Sequence, residues 1–433
     1  MRLCRGGRYD VGESVCQSRP GGRLQARGPA LQQTGGVAMM YQFAKRVITG
    51  CDPKVLGKFA WNFGVKGVRS VELYKSRLKR GEHFPPFLFI SVISSCNLRC
   101  QGCWVDVDKP AKKIEFDDMN RLLNDAKRRG NSYFGILGGE PFQHPQLLDI
   151  FEAHPDAYFQ VFTNGQMITD EVAKRLRKLG NVSPLISIEG TEIVSDERRG
   201  RLNVFSHTLA GLEACRRNKL LIGVATSVCQ SNFDLVSEGW LRKLMDMGVH
   251  YAWFHTYRVV GPKPNPQLAL TPEQVRKIRR FIVEMRNKLP IAIVDAYWDD
   301  KGEALCPMAT GVSHHISPYG DIEPCPIIQF AKETIHDGDI YEVMNRSTFL
   351  KDFRQTSANA TRGCVMLERP DLVRGLVERH GARDTTQRQA ALVELNALQP
   401  RSSQYDPGNE IPEENWMYRF AKKRWFFGFG AYT

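Results

Sequence analysis

Between Phe87 and about Asp299, short apolar runs alternate with segments of helical period. Strand-like runs begin near Phe87, Tyr133, Tyr158, Val182, Leu221 and Val249. Helical period follows over 117–129, 171–179, 205–217, 235–247 and 273–289. Thr169 ahead of Asp170 and Glu171, and Thr271-Pro272 ahead of Gln274, supply helix starts with a capping hydroxyl, early acids and Pro in the first turn. Six βα units in succession predict a parallel sheet with right-handed crossovers. Periodicity leaves open whether that sheet stays flat or curls.

The flanks read differently. Residues 1–38 are rich in Gly and Arg and lack an apolar run, so they are expected to be disordered or to precede a start at Met39 or Met40. Residues 39–84 are basic and amphipathic, with Phe43, Phe59, Trp61, Phe63 and Tyr74 among Lys and Arg. They predict a helical cap leading into the first strand, with a membrane-surface role as the alternative. His314 to Cys325 reads as a hairpin around Ser317-Pro318-Tyr319-Gly320-Asp321, residues 370–400 as charged helix, and Pro400 to Pro412 as a linker.

Composition narrows the class. At 433 residues, 42% hydrophobic and 25% charged, the chain fits one sizeable globular domain with an appendage. The net charge of +13 comes without a Lys/Arg block or a nucleic-acid fold signature. It is read as solvated faces or an anionic substrate, and no nucleic acid is expected as partner. Eleven Cys is below the density of a secreted disulfide scaffold. Clustered Cys read better as metal ligands in a reducing, cytoplasmic setting. No run of about twenty apolar residues predicts a membrane span. The last eighteen residues hold eight aromatics and four cations with no acid. Such a tail suits peripheral contact with a lipid interface, a cover over an apolar cavity, or docking on its own domain.

The chemistry centres on Cys96-Asn97-Leu98-Arg99-Cys100-Gln101-Gly102-Cys103, directly after the first strand-like run. Three thiols at C-x3-C-x2-C spacing can wrap one face of an iron–sulfur cluster. Four Cys normally complete a [4Fe–4S] centre, so one iron would stay open to a small ligand. A partial zinc site is the alternative, though neither a second Cys pair nor closely spaced His accompanies it.

Together with Gly138-Gly139-Glu140-Pro141 after the apolar run 134–137, this spacing resembles the radical S-adenosylmethionine (SAM) superfamily. The resemblance covers about Phe87 to Cys364. It implies an α/β fold, a (β/α)6 partial TIM barrel, with chemistry at the carboxyl ends of the strands. It also implies a [4Fe–4S] cluster on Cys96, Cys100 and Cys103 whose open iron SAM chelates. Reductive cleavage of SAM would then yield a 5′-deoxyadenosyl radical for hydrogen abstraction. Residues Gly138, Gly139, Glu140 and Pro141 would border SAM, and Asn164 of Thr163-Asn164-Gly165 would approach its ribose or the substrate. Ser187-Ile188-Glu189-Gly190 resembles the family's Ser-x-Asp-Gly, with Glu for Asp. Ser187 and Glu189 share a face by alternation, Ser187 towards the SAM carboxylate and Glu189 towards ribose or substrate. Arg198 and Arg199 follow in a polar loop; one guanidinium would pair that carboxylate by its two-pronged geometry, and Arg199-Gly200 fits the family pattern better. Where the family usually has an aromatic residue before the last Cys, this chain has Gly102, with Trp104 just after. His255, Tyr257 and Arg258 end the sixth strand as a substrate-facing rim. His255 and Tyr257 are the catalytic candidates, with a structural His255 as the alternative.

Farther on, Cys306, then Gly320 with Cys325 at G-x4-C spacing, and Cys364 resemble a reduced, three-Cys version of the SPASM/twitch extension. That resemblance implies an auxiliary iron–sulfur cluster in a small α+β domain, its fourth ligand coming from His314, His315, another group or the substrate. Buried, unligated thiols are the alternative. The resulting division is 39–84 basic helical segment, 85–299 barrel, 300–400 auxiliary domain, and 401–433 linker with aromatic-basic tail. The expected function is a radical SAM enzyme with a reducing partner such as flavodoxin or ferredoxin. Peptide modification leads by analogy, with a small metabolite or lipid as other substrates. Two other classes stay open: an iron–sulfur scaffold that binds SAM without turnover, and a zinc-stabilised nucleic-acid-binding protein.

Overall fold

The computed structural model of the chain describes residues 32–308 and 311–425. Residues 1–31, with Cys4 and Cys16, and the last eight residues of the tail lie outside the described residues.

The alternating apolar runs become strands β1 (Leu88–Ser91), β2 (Tyr133–Leu137), β3 (Tyr158–Thr163), β4 (Val182–Ser187), β5 (Gly223–Val228) and β6 (Tyr251–Thr256). A short β7 (Ala292–Val294) follows, then β8 (His315–Ile316) and β9 (Ile322–Glu323). They form one sheet in the order β7-β6-β5-β4-β3-β2-β1-β8-β9. All neighbours are parallel except the β8/β9 hairpin. Seven strands laid down in sequence order, without a reversal, are the winding of a barrel rather than of a doubly wound sheet. The sheet curls but does not close. Gln160 on β3 donates to the Tyr251 hydroxyl on β6 at 3.1 Å, although three strand spacings would separate them by about 14 Å on a flat sheet. β7 and β9 remain as its edges.

The capping signals operate as read. The Thr169 hydroxyl accepts from Val172 N at the start of helix Asp170–Leu179. Thr271 and Gln274 make a reciprocal capping box for helix Pro272–Lys288, with Pro272 in its first turn. Four readings change. The polar loop expected to carry Arg198 and Arg199 is a helix, Glu192–Arg199, started by an acid, ended by two cations and stopped by Gly200. A further helix, Leu147–Ala153, follows β2. The hairpin around 317–321 adds to the barrel sheet through the parallel β1/β8 pair instead of standing apart. A separate two-stranded ribbon joins β10 (Phe330–Ala331) to β11 (Arg383–Asp384).

The fourth change concerns 400–412, expected as a linker. It is strapped along helix Pro272–Lys288: Arg276 pairs with Asp406 at 2.6 Å and Arg279 Nε donates to Ile411 O at 3.0 Å. Beyond it, helix Trp416–Arg424 drives Lys422 into the core beside Asp295 at 2.9 Å. Asp295 also meets Arg286 at 2.8 Å and Arg279 at 3.2 Å, and Glu413 completes the group with Arg286. These five side chains are at most 2% exposed. The same region covers the β7 edge, since Ile293 N donates to the Tyr418 hydroxyl and Arg286 donates to Ile293 O.

At the amino-terminal end of the barrel lie helices Gln32–Gly50 and Pro53–Lys58, a π-helical segment Phe59–Val65, and helix Lys66–Lys79. Phe63 and Trp425 plug this end, their rings 4.8 Å apart and Phe63 5.0 Å from Tyr133. Arg46 donates to Pro290 O and Val249 O just ahead of β7 and β6. Among the described residues no helix is long and apolar enough to cross a membrane.

Candidate active site

The β1 strand delivers Cys96, Cys100 and Cys103 to the carboxyl-terminal mouth of the barrel, all three partly exposed. The loop is held from two sides. On one, Gln101 N donates to Arg198 O at 2.9 Å and Arg99 N to Arg199 O at 3.3 Å. On the other, Gly139 N donates to Ile93 O at 2.7 Å and Glu140 N to Ser95 O at 2.8 Å. A Cβ on Gly139 would sit 2.0 Å from Ser95 O, so the two-glycine segment is what lets β2 and the cysteine loop run backbone to backbone. Gly139→Ala is therefore expected to cost about 1–3 kcal/mol and to displace the loop, read as a lower melting temperature with reduced iron content after reconstitution.

Glu140 turns inward. Its carboxylate, fully buried, accepts from Thr163 Oγ1 at 2.7 Å and from Asn164 N at 2.8 Å. Both oxygens are thus engaged in joining the ends of β2 and β3, with Pro141 opening the turn that follows. Asn164 reaches the cysteine loop directly, its Nδ2 donating to Asn97 Oδ1 at 2.8 Å. Ser187 lies half-buried at the end of β4, opposite Ala225. Glu189 accepts from Ser227 N at 3.0 Å and pairs with Arg199 at 2.5 Å, while Arg199 also donates to Cys100 Sγ at 3.6 Å. Burial works against the Arg199 charge, but Glu189 and the Cys100 and Cys96 thiols outweigh it and hold the guanidinium protonated. Its neighbour Arg198 is different: its Nε and one terminal nitrogen are buried without a partner. The Arg198 guanidinium lies 5.1 Å from the Tyr257 ring.

Tyr257 explains Gly102. Gly102 has φ +74°, and a Cβ there would lie 2.4 Å from the Tyr257 hydroxyl. The aromatic ring beside the last cysteine therefore comes from the end of β6. Trp104 instead lines a small cavity with Gly138 and Tyr319, towards the auxiliary hairpin. His255 stacks on Trp253 at 4.9 Å and bonds the Tyr297 hydroxyl through Nδ1 at 3.2 Å. Burial, then Arg258, pushes its pKa down to about 4, so the ring is neutral at pH 7. Phe162 lies 5.8 Å from Phe89 and 5.6 Å from Trp253. Together these rings form an aromatic floor inside the barrel.

Cys306, Cys325 and Cys364, far apart in sequence, converge. Burial pushes the Cys325 thiol well up, and Cys306 and Cys364 add to the shift as neighbouring negative charges. Arg258 faces all three, stabilised in its charged form by Cys364, Tyr297, Cys306 and Cys325 against the cost of burial. It is fixed by Gln404 at 2.7 Å and by the Tyr297 ring at 5.0 Å. The two proposed histidine ligands differ: His314 keeps a buried Nε2 without a partner, whereas His315 does not. His315 has both ring nitrogens engaged, with Ser91 at 2.8 Å and Glu323 at 2.6 Å. His314 packs against His83 at 5.4 Å and meets Pro324 O through Nδ1 at 3.3 Å.

Residues 90–230 match the radical SAM superfamily. The match runs from β1 past the end of β5. AdoMet-dependent heme synthase of Methanosarcina barkeri is 24% identical over 215 residues, covering 48% of this chain and 61% of its own length. Mycofactocin maturase of Mycolicibacterium smegmatis is 24% identical over 323 residues, covering 69% and 80%. The chain spans 52% of an Fe-coproporphyrin III synthase, also from M. barkeri. In fold it resembles Streptococcus suis SuiB solved with S-adenosylmethionine, at TM-score 0.58 and 16% identity, covering 78% of this chain and 81% of that one. SuiB solved with the precursor peptide SuiA gives TM-score 0.56 and 16% identity over 65% of this chain and 70% of that one.

The cofactors of the radical SAM superfamily are a [4Fe–4S] cluster and SAM, and SPASM/twitch relatives carry auxiliary clusters. The residues here fit them. Burial raises the Cys96 thiol to about 11 and Cys103 to about 12, with Cys100 adding to both. Such crowded thiols become thiolates when a cationic centre binds the sulfurs and their protons are released to solvent. Among the described residues no three His, Cys, Asp or Glu side chains converge tightly enough for a single ion, whereas cluster thiolates bind separate irons and surround a wider space. The unpartnered Arg198 nitrogens fit an anionic group at the same mouth. A cavity of about 320 Å³ lies elsewhere, against helix Pro272–Lys288, and its Arg276 and Arg362 are already paired with Asp406 and Asp299. Arg258 and the aromatic floor are what the sequence motifs did not single out for these roles, and Arg198 is the one of the two arginines that the motif favours less.

Proposed function

We propose that this chain is a SAM-dependent radical enzyme that modifies an organic substrate, with a peptide side chain as the leading substrate class. Bound together, a [4Fe–4S] cluster and SAM supply one-electron cleavage of a carbon–sulfur bond and a carbon radical that abstracts hydrogen. Cys96, Cys100 and Cys103 would hold that cluster, and Cys306, Cys325 and Cys364 an auxiliary one. A low-potential protein such as flavodoxin or ferredoxin would supply the electron. The observation that carries the reading is the gathering of both thiol sets around one barrel mouth, with Arg199 beside the first and Arg258 beside the second.

The remaining roles belong to the protein. Arg199, held by Glu189, offsets negative charge next to Cys100. Arg198 orients the SAM carboxylate through the nitrogens left unpartnered, against the Tyr257 ring. Phe89, Phe162 and Trp253 exclude water from the space where a reactive carbon centre would form. His255, neutral at pH 7, holds a substrate group by hydrogen bond. Arg258 balances the charge of the auxiliary thiolates and fixes the rim between the two thiol sets. The maturase and SuiB similarities favour a peptide as the substrate; a small metabolite or lipid is the other outcome of a substrate screen.

Arg198→Ala is expected to weaken SAM binding to the reconstituted protein at least about tenfold, the loss of one charge-assisted pair, with iron content unchanged. The measurement is equilibrium binding of SAM and of its decarboxylated analogue. Wild type should discriminate between them and the variant should not. Equal discrimination by both proteins would remove Arg198 from this role.

A further inference from the structure

We propose that the amino-terminal end of the barrel docks on an anionic lipid bilayer surface, with the outward face of helix Trp416–Arg424 as its main contact. This goes beyond the catalytic reading and does not depend on it. The helix has one exposed stripe: Trp416, Arg419, Phe420, Lys423 and Arg424, at offsets of three, four, seven and eight residues. Trp416 is 54% and Phe420 57% exposed. A surface helix ordinarily shows water charges of both signs; this stripe has two large rings, three cations and no acid. Its inward face cannot be exchanged for it, because Lys422 and Tyr418 are locked to Asp295 and Ile293 N. The outward rings are therefore held in the open by the buried ionic group behind them.

The stripe continues into its neighbours. Trp425 Nε1 donates to Phe63 O at 2.8 Å, and Lys75 donates to Lys423 O at 3.1 Å. This brings the helix beside the π-helical segment, whose Trp61 and Val65 are exposed, while Tyr41 and Ile48 are exposed on helix Gln32–Gly50. Charge follows the same map. Residues 39–80 hold ten Lys/Arg against two Asp/Glu and 416–433 hold four against none, and of these cations Arg77 and Lys422 are buried. Arg424 reaches Glu72 only through an exposed pair at 3.5 Å, which exchanges readily for lipid phosphate, whereas Lys423 pairs with the largely buried Asp300 at 3.1 Å. The eight residues after Trp425 are Phe-Phe-Gly-Phe-Gly-Ala-Tyr-Thr, uncharged and half aromatic. Aromatic rings interleaved with cations are the composition of an interfacial anchor. The cysteine loop lies at the opposite end of the barrel, so docking would leave its mouth open.

The test is co-sedimentation of the full, cluster-loaded chain with phosphatidylcholine vesicles, with and without phosphatidylglycerol. Binding is expected only with phosphatidylglycerol, falling as salt rises. Trp416→Ser with Phe420→Ser should lower the partition coefficient about tenfold or more while SAM cleavage in solution stays unchanged. Val393→Ser, an exposed apolar site on another helix, should bind like wild type. Wild type that ignores phosphatidylglycerol vesicles, or a double variant that binds equally, overturns the proposal. So does tighter binding after truncation at Trp425, which would make the tail the occupant of this face. Concentration-dependent dimerisation lost in the double variant, without vesicle binding, would make the occupant a second copy.

Discussion

Replacing Cys96, Cys100 and Cys103 together with alanine is expected to leave a folded, iron-containing protein that no longer cleaves SAM. The three thiols share one loop at the barrel mouth, and none of them is part of the apolar core, so their loss removes ligands without opening a cavity. Cys306, Cys325 and Cys364 stand on other elements, joined through the auxiliary hairpin and Arg258. The variant should therefore retain about four irons per chain, the content of one cluster, where wild type holds about twice that. Iron and sulfide analysis after anaerobic reconstitution measures it. Loss of all iron from a variant that still melts cooperatively would leave the second thiol set without a cluster.

The largest stability effect is expected at Asp295. Asp295→Asn strips the carboxylate from between Lys422, Arg286 and Arg279, leaving buried cations with Glu413 as their remaining acid. Breaking such a group from one side costs about 3–5 kcal/mol, read as a fall in the urea midpoint at constant slope. Asp149→Asn, in an exposed pair with Arg175, should change stability by less than about 0.5 kcal/mol. The pH dependence has a definite sign. Burial alone would raise the Asp295 pKa, but Lys422, Arg286 and Arg279 outweigh it and hold the carboxylate well below the usual range. A depressed carboxylate contributes its stability in full above its unfolded value, about 3.9, and loses it as pH falls towards the folded one. Between pH 5 and 3 the midpoint of wild type should therefore fall more steeply than that of the variant.

Much of this arrangement could be read from the chain because local signals agreed with the fold. Strands β2, β3 and β4 begin at Tyr133, Tyr158 and Val182, where the apolar runs begin. Both Thr-capped helices start as their hydroxyls and acids indicate. The readings that changed depend on partners distant in sequence. Helix Glu192–Arg199 has two turns, too few to show a period. The parallel pairing of β8 on β1 joins residues more than two hundred apart, and nothing local marks it. The 400–412 strap looked like a linker because its anchors, Arg276 and Arg279, lie on another helix. At the site, the motif favoured Arg199, whereas the fold spends that charge on Glu189 and Cys100 and leaves Arg198 buried with unpartnered nitrogens. Glu140, whose motif drew attention as a cofactor contact, is occupied by Thr163 and Asn164. A motif names residue types; only the fold decides which of their atoms remain available.

The measurement closest to the central claim is 5′-deoxyadenosine, quantified by mass spectrometry after anaerobic incubation of the reconstituted protein with SAM and dithionite. The account predicts that it accumulates with wild type and is absent with the Cys96/Cys100/Cys103→Ala variant. A wild-type protein that carries its full iron, binds SAM and yet yields none would contradict it, and would make the chain an iron–sulfur scaffold instead of a radical enzyme.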